Sequence, residues 1–228
     1  MVVELLYHTP LWVAAKAIRK CWASEGNSDT ADEIIAWEGR VFTVEGNLPS
    51  EPCPTIGPKD AALIDRVGNK NKHASTLEHL VYTFDIDGMS RAVLQEHARH
   101  RISSFSVQSS RYTLQKVIDG FGDISETLVR CGDKDIDDLN LEHMTKLAAI
   151  IERRGKTLPR DKAKYGIVEA YKTSLVWTVN ARSLQNFLAL RTNKAALQEI
   201  RELAYLIYAT LPEDHKYLFE DSLYAESH

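Results

Sequence analysis

The densest run of polar side chains is Glu96–Tyr112, EHARHRISSFSVQSSRY. From Glu96 to Lys116, four cations (Arg99, Arg101, Arg111 and Lys116) stand against one carboxylate, Glu96, in a chain of formal net charge −4. Guanidinium forks and serine hydroxyls match phosphate oxygens, and each charge-assisted hydrogen bond of this kind contributes ~1.5–3 kcal/mol. A bare Arg-His-Arg triplet is more often a solvated helix end, where cations complement the helix dipole. The serines and the Arg111-Tyr112 pair that follow shift the balance toward an anion site. His97 and His100 are three apart beside Glu96, a usable metal-ligand spacing. The order is E-H-x-x-H, however, and Arg99 and Arg101 repel a dication, so no metal is expected.

Two further clusters contain reactive residue types. VNARSLQNFLALR ends at Arg191. On a helix from about Ala181, Arg182 and Asn186 share a face, whereas Arg191 lies about 180° from Arg182. Arg182 and Arg191 therefore serve different ligands or different parts of one site. The alternative is an ordinary amphipathic helix with Leu184, Phe187, Leu188 and Leu190 as core and solvated arginines. His73-Ala-Ser75-Thr76-Leu-Glu78-His79 could serve a site or cap a turn, and neither reading dominates.

The elements that position these clusters follow from periodicity. Leu80–Asp87 and Tyr171–Asn180 alternate apolar and polar residues, the mark of strands with one buried face. Val2–Tyr7 and Ile102–Val107 are weaker candidates. Thr9-Pro10 reads as N-cap and N1 of a helix running to Cys21. Ser90 can cap a helix reaching about Arg101. Further helices are expected over Leu139–Arg153 and over Lys194–Leu211, the latter with Leu197, Ile200, Ala204, Ile207 and Leu211 on one stripe. The proline-rich run 46–58 reads as a surface loop. No G-x-G-x-x-G or Walker A motif is present. Strands and helices without regular βαβ alternation predict an α+β domain with a mainly antiparallel sheet flanked by helices.

The length of 228 residues suits one sizeable domain, read here as a single domain over 1–228. With 44% hydrophobic and 26% charged residues, disordered and fibrous classes are excluded. The slightly acidic balance lacks the global basic field of a protein that grips long nucleic acid. No window approaches a membrane span and no signal peptide is evident. Three cysteines without C-x-x-C spacing suit a reducing compartment, so a soluble cytoplasmic protein is expected.

Taken together, Arg99-His100-Arg101, seven residues, Ser109 and then Arg111-Tyr112 resemble the R-H-R-x7-S pattern of the flavin-dependent thymidylate synthases. The resemblance continues in HASTLEH (73–79) and WTVNARSLQNFLALR (177–191), and loosely covers residues 1–22. It implies methylation of dUMP to dTMP with 5,10-methylenetetrahydrofolate as one-carbon donor, and FAD reduced by NADPH as hydride source. It also implies a homotetramer with active sites shared between subunits. Arg99, His100 and Arg101 would contact FAD, with Ser75, Asn180, Ala181, Arg182 and Asn186 as further contacts. Gln108, Ser109, Ser110 and Arg111 would hold dUMP, largely at its phosphate, with Arg99 near the nucleotide. Arg191 would face the uracil ring. Charge develops on the N3/O4 side of uracil as C5 becomes electron-rich, and a fixed Arg there is worth ~10²–10³ in rate.

Four positions depart from the family's common pattern. Glu96 replaces a frequent Gln, Val107 a Glu, and Ala195 a His. Lys164 replaces an Arg near the nucleotide phosphate, keeping the charge without the bidentate fork. Pro52-Cys53-Pro54 superficially resembles the Pro-Cys pair of the thymidylate synthases that use a cysteine nucleophile, but lacks the surrounding motif. The alternative function is a non-catalytic binder of nucleotides or RNA. Such a binder has no need for Asn180, Arg182, Asn186 and Arg191.

Overall fold

The structure, a computed structural model, describes residues 1–30, 56–114 and 122–224. Lys116, Cys53 and most of the proline-rich run 46–58 lie outside the described residues. Four strands, β1 (Val2–His8), β2 (Val81–Ser90), β3 (Ser103–Val107) and β4 (Lys172–Asn180), form one sheet in the order β1-β2-β4-β3. Every pairing is antiparallel, as expected for an α+β chain.

Period-2 alternation does its work in the two central strands. Tyr82, Phe84 and Ile86 of β2 and Leu175, Trp177 and Val179 of β4 are buried on one face. Phe84 pairs with Trp177 in register, and their rings stack at 5.8 Å. The strand limits differ from those expected. β2 continues to Ser90 through a bulge at Gly88, whose φ of +77° is open to glycine at little steric cost. Tyr171 falls outside β4 and makes an isolated bridge to Leu128.

Helix α1 (Leu11–Cys21) buries Leu11, Ala14, Ala15 and Ile18. Pro10 rather than Thr9 stands at its N-cap. Thr9 is engaged by the sheet instead: its hydroxyl accepts from the Val81 N–H at 3.1 Å and its own N–H donates to Val81 O at 2.8 Å. Helix α2 (Pro58–Ile64) packs beside α1 through a buried ion pair. There Asp60, 1% exposed, accepts from Arg19 Nε at 2.6 Å, Ser28 Oγ at 2.5 Å and Thr30 Oγ1 at 2.7 Å.

Helix α3 (Arg91–His97) begins at the expected cap, with Ser90 Oγ accepting from the Val93 N–H at 3.1 Å. Ser90 is itself gripped by Glu199, its N–H donating to Oε1 at 2.7 Å and its hydroxyl to Oε2 at 2.6 Å. The helix stops at His97, short of the expected Arg101, so the Arg99-His100-Arg101 triplet forms the turn leading into β3. That turn is closed by His100 N–H donating to His97 O and Ser103 Oγ donating to His100 O at 2.6 Å.

Helix α4 (Lys134–Arg154) starts earlier than its apolar pattern indicated, because Asp133 accepts from the N–H groups of Asp135 and Ile136. A short helix α5 (Arg160–Lys164) follows. Helix α6 (Ala181–Arg191) is capped by Asn180 Oδ1, which accepts from the Ser183 N–H at 2.9 Å. Helix α7 (Gln198–Thr210) buries Ile200, Leu203, Ala204 and Ile207, while Leu197 lies outside it and is 48% exposed. The main core lies between the sheet and α1, α6 and α7. A smaller one joins Leu114, Leu128 and Tyr171 to Met144, Leu147 and Ile151 of α4. No helix among the described residues is long and apolar enough to cross a membrane.

Candidate active site

The pairing of Ser103 with Val179 brings the triplet and the start of α6 to one end of the sheet. Between them lies a groove of about 980 Å³, lined by Glu96, Arg99, His100, Arg101, Arg182, Asn186 and Arg191 among others. Arg182 and Arg191 occupy different parts of this single groove, as their angular separation on α6 requires. Arg182 pairs with Glu78 at 2.7 Å, whereas Arg99 is largely exposed, 3.8 Å from Glu96.

Arg191 is held on three sides. Its Nε donates to His100 Nε2 at 3.0 Å, Nη1 to Glu96 Oε2 at 2.7 Å and Nη2 to the Glu96 carbonyl at 3.0 Å. An acceptor at Nε2 fixes the neutral His100 tautomer with its proton on Nδ1. Burial and then the Arg191 charge push the His100 pKa down to about 4, against a smaller opposing pull from Glu96. Beneath it sits His97, fully buried, with its ring 4.4 Å from that of Trp177 and 5.2 Å from that of Phe187. Burial lowers the His97 pKa to about 3, and neither ring nitrogen has a hydrogen-bond partner among the described residues. His97 therefore belongs to an aromatic floor under the groove. Among the described residues no group of three or more His, Cys, Asp or Glu is placed to hold a metal ion.

The remaining site residues are dispersed. Asn180 caps α6 and Ala181 is fully buried at its first turn, so both are fixed by the helix start. Ser75 is exposed in the 3₁₀ segment Ala74–His79, on the approach to Glu78. Gln108 leaves β3 with its N–H on Ser174 O at 2.8 Å, and Ser109 opens a helical turn whose Tyr112 and Thr113 N–H groups bond to its carbonyl. Ser110 is buried, its hydroxyl without a partner among the described residues. The Arg111 guanidinium lies 5.3 Å from the centre of the Tyr112 ring. Arg111 lines a second groove of about 800 Å³ together with Lys156, Arg160 and an apolar floor of Ile151, Leu158 and Ala163. Lys164 is exposed at the end of α5. Within one chain, Arg99 and Arg191 thus line one groove and Arg111 another.

Two residues inside the quoted motifs were given no partner in the groove. Glu78 and Glu96 are the carboxylates that fix Arg182 and Arg191, across 104 and 95 residues of sequence. Spacing along the chain carries no sign of pairs so distant. The departure of Glu96 from the usual Gln was the available clue, and its main partner is Arg191 rather than Arg99.

Fold and groove together define an α+β protein with an arginine-lined cleft where α3 and α6 meet the sheet. The profile of the Thy1 family, described as thymidylate synthase complementing protein, matches residues 4–215. The chain belongs to this family, that of the flavin-dependent thymidylate synthases. It is 44% identical over 233 residues to the flavin-dependent thymidylate synthase of Campylobacter jejuni (strain RM1221), with 99% of each chain covered. The corresponding protein of Wolinella succinogenes is 47% identical over 223 residues, covering 96% of this chain and 97% of the relative. Among solved structures, flavin-dependent thymidylate synthase ThyX from Helicobacter pylori, complexed with FAD and dUMP, superposes with a TM-score of 0.81. It is 39% identical, with 98% of this chain and 100% of that one covered.

Proposed function

We propose that this chain is an FAD-dependent thymidylate synthase that converts dUMP to dTMP. One observation carries the reading: the triplet, Arg182, Asn186 and Arg191 converge on one groove, in a chain similar over its whole length to a protein complexed with FAD and dUMP. In our reading 5,10-methylenetetrahydrofolate is the one-carbon donor and NADPH the reductant. The chain acts as a single cytoplasmic domain in a homotetramer.

The donor set suits the flavin. Arg99 and Arg101 from the turn before β3, and Arg182 and Asn186 from α6, offer three guanidinium groups and an amide to the groove between them. These match the anionic edge and diphosphate of FAD, with His100 and Ser75 as further contacts. Asn180, the cap of α6, and Ala181, buried in its first turn, act by fixing Arg182 and Asn186 rather than by touching the flavin. When bound, FAD supplies the hydride. The nucleotide falls to Arg99, Gln108, Ser109, Ser110, Arg111 and Lys164 at its phosphate end and to Arg191 at uracil. Arg191 stabilises the negative charge that grows on the ring, and neutral His100 keeps the guanidinium directed there. With its Nε2 occupied by Arg191, His100 is a holder and not a base.

Arg111 faces a different groove from Arg99 and Arg191, and this separation supports an active site completed by a second subunit. Dilution to the monomer is therefore expected to release flavin, read as loss of bound absorbance in a sedimentation experiment. A stable monomer retaining stoichiometric FAD overturns the shared-site reading. The direct test of function is dTMP formation from dUMP, 5,10-methylenetetrahydrofolate and NADPH by the purified yellow protein.

Ser109 is assigned to binding and not to nucleophilic attack. A serine nucleophile needs an adjacent base, and among the described residues no His, Asp or Glu side chain hydrogen-bonds its hydroxyl. Ser109→Ala is expected to weaken dUMP binding by ~1–2 kcal/mol, roughly five- to thirtyfold, with turnover persisting at saturating substrate. A uridylate adduct on Ser109 in quenched enzyme, with no turnover in the variant, sinks this assignment.

A further inference from the structure

Arg191 is the groove cation with the least freedom. Its side chain is 15% exposed, against 75% for Arg99 and 56% for Arg182. Of the five N–H donors on a guanidinium, three are committed, to His100, to the Glu96 carboxylate and to the Glu96 carbonyl, which leaves two for a ligand. The Glu96 carbonyl belongs to the last turn of α3, where main-chain acceptors have no partner within the helix. Arg191 therefore docks on a helix end as well as on a carboxylate. His100, its third partner, is seated edge-on against Phe187 at 5.0 Å.

We infer that Glu96 is a positioning residue for Arg191, clamping the guanidinium so that its two remaining N–H groups meet the nucleobase without further ordering. The inference rests on the proposed role of Arg191 at uracil and deepens it. A side chain with several rotatable bonds would otherwise have to be frozen at each turnover. A small displacement of such a group is costly, since an error of about 1 Å at a reacting centre can lower rate 10²-fold. The carboxylate does this without touching substrate, and its second oxygen, 3.8 Å from Arg99, leaves it between two cations. Loss of the carboxylate removes the anionic partner and leaves only the neutral acceptors His100 Nε2 and Glu96 O. The guanidinium can depart from these while still reaching substrate part of the time, so the consequence is smaller than loss of Arg191 itself.

The test is a double-mutant cycle on the FAD-loaded protein. Glu96→Ala is expected to lower kcat roughly 10- to 100-fold, with the KM for dUMP within about threefold of the unaltered value. Glu96→Gln, which retains an acceptor for Nη1, recovers most of that loss. In the Arg191→Ala background, Glu96→Ala costs nothing further, because its effect passes through Arg191. A full additional loss in that background, or equal damage from Gln and Ala, overturns the clamp. A crystal structure of the Glu96→Ala protein provides a readout independent of turnover. The Arg191 guanidinium leaves its place beside His100 if the inference holds, and an unmoved guanidinium refutes it. If the unaltered protein forms no dTMP, the functional reading falls, and this structure alone decides the clamp.

Discussion

Arg191→Ala lowers turnover about 10²–10³-fold, the largest loss expected from any single change in the groove. The guanidinium is prepared before substrate arrives, so what disappears is stabilisation realised as charge builds on uracil. The fold should tolerate the change. Glu96 is 38% exposed and returns to Arg99 and solvent, and neutral His100 needs no counter-charge. Flavin content is expected to stay close to that of the unaltered protein, because Arg99, Arg101, Arg182 and Asn186 remain. Steady-state kinetics with a flavin absorbance check decides the matter. Full chemistry restored by added FAD would move Arg191 to the cofactor side of the groove.

Asp60→Ala costs ~3–5 kcal/mol of stability, because it strands the buried Arg19 charge and two hydroxyls in one step. The same carboxylate sets an acid response. Burial pushes its pKa up, but hydrogen bonds from Ser28, Thr30 and Arg19, with the Arg19 charge, outweigh burial and hold it below the ordinary 3.8. A depressed carboxylate stabilises the fold above its unfolded pKa. That contribution is lost as pH falls below about 3.8 and through the folded value. Urea unfolding between pH 7 and pH 2 should show a steeper decline below about pH 3.8 for the unaltered protein than for Asp60→Asn. Parallel declines would show that Asp60 carries no linked proton.

How much of this was legible in the sequence depends on distance along the chain. β2 and β4 were readable because one buried face imposes period 2, and α6 because Leu184, Phe187 and Leu188 recur on one apolar stripe, although Leu190, grouped with them, is 54% exposed. The triplet with its serines was readable as a set suited to anions, whereas the Arg182–Arg191 segment gained a site role only through the family resemblance. Helix ends were less so. α3 was expected to reach Arg101, yet the His97 and His100 carbonyls find turn partners that end it at His97. α4 hid its start in polar residues whose helicity comes from the Asp133 cap. Leu197 looked like core but lies in the turn before α7. Glu78–Arg182 and Glu96–Arg191 were not legible, since only the folded sheet brings their ends together.

That sheet also says which parts of the gene can change length. The triplet and α6 are placed by one antiparallel step, Ser103 against Val179, so adding or deleting a residue between Arg101 and Ser103 breaks the turn closed by Ser103 Oγ on His100 O and carries the arginines away from α6. The described residues 122–154 supply no strand to the sheet, and their core is the separate one built on α4. Insertions and deletions among descendants of this sequence should therefore accumulate in that stretch, while the few residues joining α3 to β3 keep a constant count even where their identities drift.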